Sequence, residues 1–182
     1  MIKSNPSLEH IEPSLGNSFR LMKFEAGTTE NSIPKWHFHP ELEIAYIKEG
    51  SGKRHIGNHI SQYYNGDLIM VGANLPHFGF TDRFSGTKTE VIMQFRADFL
   101  GEDFIKKIEM VNIARLFERA KSGLSFTGNT KTEIGERFES MFYMNSFEKL
   151  LEVMNILNIM ANSREVEVLN AQGVMLESTT ST

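Results

Sequence analysis

Residues 36–50 read Trp36-His37-Phe38-His39-Pro40-Glu41-Leu42-Glu43-Ile44-Ala45-Tyr46-Ile47-Lys48-Glu49-Gly50. In an extended strand, side chains two apart share a face. His37, His39 and Glu43 all carry odd numbers, so one continuous strand would aim them to the same side. Pro40 has no N–H to give a ladder and can interrupt such a strand. Residues 42–49 form a strand that Gly50-Ser51-Gly52 ends. A further histidine, His77, follows Leu75-Pro76 at the entry to a later strand. In a closed barrel that strand would stand opposite the first three residues. Three imidazoles and one carboxylate suit a divalent transition metal, and two histidines plus a carboxylate are the ligand type of non-haem iron.

The flanking sequence supplies the rest of a barrel. Residues 19–26 read as an opening strand and Gly27 to Pro34 as a polar loop. Residues 53–56 and 59–64 flank Gly57-Asn58 and predict a hairpin. Asn65-Gly66 is a second turn, 67–71 a buried strand, and 77–81 and 90–96 complete the set. Many short strands between Gly, Asn and Pro turns argue for a sandwich or barrel. Trp36, Tyr46, Phe78, Phe80, Met93 and Phe95 are either walls of a ligand pocket or plain barrel core. His55 and His59, flanking the hairpin turn, are expected in solvent, and Arg54 either sits at a solvated strand end or grips a carboxylate or sugar hydroxyl.

After Phe99 the apolar period turns helical. Phe104, Ile105, Ile108, Val111, Leu116 and Phe117 predict a helix over 102–121. Thr130 with Glu133 predicts a capping box opening a helix through Phe142, and Asn145 with Glu148 another, to about Ala161. In the last helix Phe147, Leu150, Leu151, Met154 and Leu157 form one face. Ile156, Ile159 and Met160 lie off it and offer a subunit interface. The organisation expected is a 1–18 arm, a 19–98 barrel, a 99–162 helical segment and a 163–182 linker.

Composition removes several function classes. Lys and Arg total 19 and Asp and Glu 23, a net charge of −4, without the basic surplus of a phosphate-gripping domain. With no cysteine, disulfides, thiol nucleophiles and Cys-based zinc sites are excluded. No signal-peptide core and no apolar run of membrane-spanning length appears, so a cytoplasmic location is expected. No serine–histidine–aspartate order or phosphate-binding glycine loop stands out.

His37-x-His39-x-x-x-Glu43, followed by Gly50, resembles the first cupin motif, and Gly66-Asp67 through Pro76-His77 resembles the second. Gly27 lies farther from His37 than the usual glycine of the first motif. Within the cupins, WHFHPELEIAYIKEGSG, YYNGDLIMVGANLPHFG and the downstream IARLFERAKSGLSFTG and FEKLLEVMNILNIMANS resemble the N-terminal domain of AraC-type transcription regulators. The resemblance runs from about Phe19 to Ala161. It implies a mainly β fold: a jelly-roll barrel that senses a small molecule, followed by helices that form a homodimer. It also implies that DNA is bound by two helix-turn-helix motifs beyond Thr182, so that this chain is a piece of a longer regulator.

On that reading a small polar metabolite, for instance a sugar, meets Trp36, His37, His39, Glu43, Tyr46, His77 and Phe95, and the N-terminal arm is a candidate switch. His37, His39, Glu43 and His77 either hold a divalent metal (Zn, Ni, Mn or Fe) or hydrogen-bond the ligand without one. Two rivals stand beside it. One is a metal-dependent cupin enzyme, an isomerase or dioxygenase using the same four residues. The other is a dimerisation module with a vestigial pocket.

Overall fold

A computed structural model describes residues 5–25, 35–78 and 89–171. The loop expected at 27–34, Phe80 and residues 172–182 lie outside the described residues. Among the described residues, eleven strands and three α-helices follow in chain order. They are β1 (Ser7–Leu8), β2 (Phe19–Glu25), β3 (Trp36–Phe38), β4 (Leu42–Ile47), β5 (Gly52–Ile56), β6 (His59–Tyr63), β7 (Asp67–Val71), β8 (His77–Phe78), β9 (Thr89–Phe95), α1 (Val111–Ala120), β10 (Leu124–Phe126), α2 (Gly128–Met141), α3 (Ser146–Asn162) and β11 (Val166–Val168).

The strands form two sheets, ordered β1-β3-β8-β5-β6 and β11-β10-β7-β4-β9-β2. Between them lies an apolar interior of Ala45, Ile47, Ile69 and Val71 from the larger sheet, Ile56 and Tyr63 from the smaller, and Leu75 and Leu169. The alternate residues of the larger sheet, among them Leu42, Ile44, Tyr46, Leu68, Met70, Met93 and Phe95, join a second core with the helices. Strands β4 and β7 are therefore buried on both faces, which explains the apolar runs 44–47 and 68–71. Helix α2 comes so close to β4 that a Cβ on Gly135 would collide with the Tyr46 ring. The hairpin at Gly57-Asn58 forms as expected, with Gly57 at φ +56°, a conformation glycine reaches without steric cost.

The helical part departs from expectation in three places. The 102–121 helix starts only at Val111, because 98–107 fold as successive i to i+3 turns through Gly101 at φ +93°. Ile108, expected on its apolar stripe, is 79% exposed. Helix α2 opens at Gly128 without the Thr130–Glu133 box. Glu165 accepts from the Asn129 and Thr130 amides instead, while Glu133 pairs with Arg137. Helix α3 does open on the expected Asn145–Glu148 box, but residues of both expected faces turn inward, Leu157 among them. Ile156 and Met160 are fully buried against α1, α2 and the sheet, and Phe147 and Leu151 are exposed at 67% and 50%. A helix spanning two packing environments does not show in its sequence which apolar side turns inward.

Three short strands lie outside the expected barrel, the first being β1, which joins β3 from within the expected arm. β10 pairs with β7 between α1 and α2, and β11 pairs with β10 within the expected linker. Three residues are too few to display a period of two. Among the described residues no helix is long and apolar enough to cross a membrane.

Candidate functional site

His37, His39 and Glu43 do not share one strand. His37 lies in β3 of the smaller sheet and Glu43 in β4 of the larger, with His39 on the connection between them. The interruption at His39-Pro40-Glu41, where proline cannot serve a ladder, moves the chain from one sheet to the other. The same face is nevertheless reached, now from two sides. His37 stands directly opposite His77 in the β3–β8 ladder, and Glu43 opposite Gln94 in the β4–β9 ladder.

The three histidine rings converge. The His37 and His77 centroids are 4.3 Å apart, those of His39 and His77 5.1 Å, and one ring nitrogen from each histidine lies within 4.8 Å of the others. His39 and His77 are buried, and the His37 side chain is 14% exposed. All three rings are oriented in the same way. Nδ1 of His37 donates to the Lys35 carbonyl at 2.8 Å, Nδ1 of His39 to Glu41 at 3.1 Å, and Nδ1 of His77 to Leu75 at 2.9 Å. A carbonyl can only accept, so each Nδ1 carries a proton; Nε2 of His37 faces Glu9 and Nε2 of His39 faces Glu43, and each can donate there only when it carries a second proton, which a bound metal would replace.

Glu43 is the buried carboxylate beside them. Its Oε2 accepts from His39 Nε2 at 3.3 Å and from Gln94 Nε2 at 2.6 Å, and its Oε1 lies 3.7 Å from His77 Nε2. Burial alone would raise its pKa, but the hydrogen bond from His39, the nearby imidazoles and the bond from Gln94 hold it ionised. Burial pushes His77 down to about 4, with Glu43 opposing only in part, so that ring is neutral at pH 7. For His37, burial is the largest single influence and lowers the pKa, but the hydrogen bonds to Glu9 and Lys35 and the charges of Glu9 and Glu43 together outweigh it, and the pKa is raised.

Glu9 reaches the site because β1 pairs in parallel with β3; its Oε2 is 3.1 Å from His37 Nε2. That hydrogen bond lowers the Glu9 pKa against the opposing effect of burial. Neither Glu9 nor Gln94 was singled out by the sequence reading. Gln94, the one amide in the apolar run of β9, left a signal there. Glu9 left none.

The aromatic residues expected to line a pocket with the histidines are placed elsewhere. Trp36 is adjacent to His37 and points to the other side of β3, where it stacks on His55 at 4.4 Å and on Phe78 at 5.1 Å. Tyr46 is three residues from Glu43, hence on the opposite face of β4, against Phe138 of α2. Phe95 and Met93 face the helices as well, Phe95 packing on Phe99 and Phe117. Phe95 also borders a separate cleft of about 320 Å³, lined with Glu41, Gln94 and the arm residues Ile11 and Pro13.

Arg54 and His55 are partly buried rather than fully in solvent. The Arg54 guanidinium is buried between the sheets, donating to Ser61, Asp67 and Ser125. A long side chain near a strand end can turn inward where a carboxylate receives it.

Residues 20–87 match the family described as AraC-like ligand binding domain. The AraC-like stretch contains all four of His37, His39, Glu43 and His77. The chain is similar in structure to apo ToxT K231A from Vibrio cholerae strain SCE256, at 14% identity and a TM-score of 0.50, over 83% of this chain and 55% of that one. It is also similar to ToxT from Vibrio cholerae O395 bound to (E)-4-(8-methylnaphthalen-1-yl)but-3-enoic acid, at 14% identity and a TM-score of 0.48, over 77% and 54%. The chain thus spans little more than half the length of these structures. The first likeness supports the cupin-like barrel seen here. No curated protein matches the chain.

Proposed function

We propose that this chain is the effector-sensing part of a transcription regulator, with the histidine cluster as its ligand site. The observation that carries the proposal is the shared orientation of His37, His39 and His77. Three Nδ1 atoms tied to backbone carbonyls turn the three Nε2 atoms to the opposite ring edge, where Glu9 meets His37 and Glu43 meets His39 and His77. Metal-ligating histidines are characteristically oriented by such a second hydrogen bond. The set fits a divalent metal such as Zn, Ni, Mn or Fe, held by the three imidazoles with Glu43 beside them. A bound metal would supply a Lewis-acid anchor for the oxygen atoms of a small polar metabolite.

The chain's own residues supply the rest. Gln94 and His39 hold Glu43 as an ionised acceptor, and Glu9 brings the N-terminal arm onto His37, which suits a switch that responds to occupancy. The exposed Phe147 and Leu151 on α3 support a homodimer through the helices. DNA contact belongs, on this reading, to a helix-turn-helix domain outside residues 1–182, in keeping with the net charge of −4. The cytoplasm is the corresponding location, and the chain acts as a sensor rather than a catalyst.

Calorimetric titration with Zn²⁺ or Co²⁺ tests the site. The wild-type chain should bind one equivalent, and His39→Ala or His77→Ala should abolish binding while leaving the oligomeric state unchanged. Equal binding by the variants would overturn the assignment. Turnover of a small substrate by the iron-loaded chain would favour a cupin isomerase or dioxygenase instead.

A further inference from the structure

The residues that carry His77 also hold the C-terminal segment. His77 is bridged to Ile56 at the end of β5, and the Gly57 amide donates to the Pro76 carbonyl at 2.7 Å. These contacts fix the hairpin turn 56–58 on the side of the site. On its other side the turn is fixed by Asn170. The Asn170 side chain donates to the carbonyls of Ile56 and Ser122, each at 3.0 Å, and accepts from the Asn58 amide at 2.9 Å. Asn170 is only 6% exposed, and both ends of its amide are engaged. A side chain on Gly57 would have to displace it.

Leu169 makes the apolar half of the same contact. It enters the interior between the sheets and belongs to the core cluster of Ile56 and Leu75. Ile56 is the ladder partner of His77, and Leu75 is the residue whose carbonyl orients the His77 ring. The Leu169 and Asn170 amides donate to Gly123 and Ser122, at the turn between α1 and β10. One peptide unit of β5 therefore separates the ligand site from the point where the chain leaves for residues 172–182.

We infer that Leu169 and Asn170 form a latch that couples occupancy of the histidine site to the C-terminal segment. The inference rests on the reading of the cluster as a ligand site. Its physical content is that the docked latch and the placed His77 share the turn 56–58. A ligand that needs His77 in place favours the docked latch, and an undocked latch weakens the site by the same factor. Asn170 is a positioning residue in this scheme and touches no ligand.

The test uses Co²⁺ as the probe, because its visible absorption reports binding independently of the latch. In the wild-type chain Co²⁺ should slow hydrogen exchange at the Asn58, Leu169 and Asn170 amides. In Asn170→Ala the Co²⁺ band should keep its shape, the affinity should fall about fivefold or more, as is usual for coupled sites, and exchange at 166–169 should cease to respond to Co²⁺. A normal Co²⁺ band in the wild-type chain with C-terminal exchange unmoved overturns the latch and leaves the site intact. No Co²⁺ band in the wild-type chain overturns the site reading and the latch together. The wild-type exchange measurement decides the matter even if the variant does not fold.

Discussion

Along β4 the chain alternates between two interiors of different character. Leu42, Ile44 and Tyr46 face the helices, in a core that takes residues from α1, α2 and α3. Glu43, Ala45 and Ile47 face the other sheet, where the apolar filling gives way at one end to three histidines, Glu43 and Gln94. The helix side is uniform, and the barrel side combines apolar packing with a polar site. The difference implies that stability rests chiefly on the first face and binding on the second, and the two can be tested separately.

The largest effect is expected on the helix side. Phe138 of α2 is fully buried, and Phe138→Ala should cost about 3–5 kcal/mol of unfolding free energy. Urea denaturation measures this loss, and Co²⁺ affinity below the unfolding transition should be unchanged. A parallel loss of Co²⁺ affinity would break the separation between the faces.

The next effect belongs to the barrel side and depends on pH. His77 titrates near 6.5 in an unfolded chain and at about 4 in the fold. A depressed histidine takes up its proton more readily when unfolded. The stability from keeping it neutral is therefore present above pH 6.5 and is lost as pH falls toward 4. Between pH 7 and pH 5 this contribution falls by about 2 kcal/mol in the metal-free chain. His77→Asn should remove that portion of the acid loss, whereas Phe138→Ala should keep it. Identical pH profiles for wild type and His77→Asn would contradict the burial of a neutral ring.

The smallest effect lies on neither face. Asn145→Ala removes the side-chain acceptor of the α3 capping box, the bond from the Glu148 amide, and should cost about 1 kcal/mol. The melting temperature should fall by about 2–4 °C, with metal affinity and pH profile unchanged.

Much of this arrangement was legible in the sequence through parity and turn chemistry. Gly57-Asn58 places its hairpin, and the Asn145–Glu148 box opens α3 where the spacing requires. The histidines and Glu43 do meet, but the reason differs from one strand with one face. Pro40 moves the chain between sheets, and the opposing ladders restore the convergence. Parity also separates Tyr46 from Glu43 and Trp36 from His37, so spacing alone puts these aromatics on a different face from the histidines. Other features depend on partners far along the chain. Arg54 turns inward because Asp67 and Ser125 are there to meet it. The faces of α3 are assigned by what packs on them. Glu9 reaches His37 only because β1 joins the edge of the smaller sheet.

The cap on α2 ties the order of synthesis to the order of folding. The acceptor for the Thr130 amide is Glu165, 35 residues downstream. At a ribosomal rate of about 5–20 residues per second, the first turn of that helix waits about 2–7 seconds for its acceptor to be made. Until then α2 emerges as a helix with a frayed start beside an open sheet edge. Completion of β11 closes the helix terminus and the edge in a single late event.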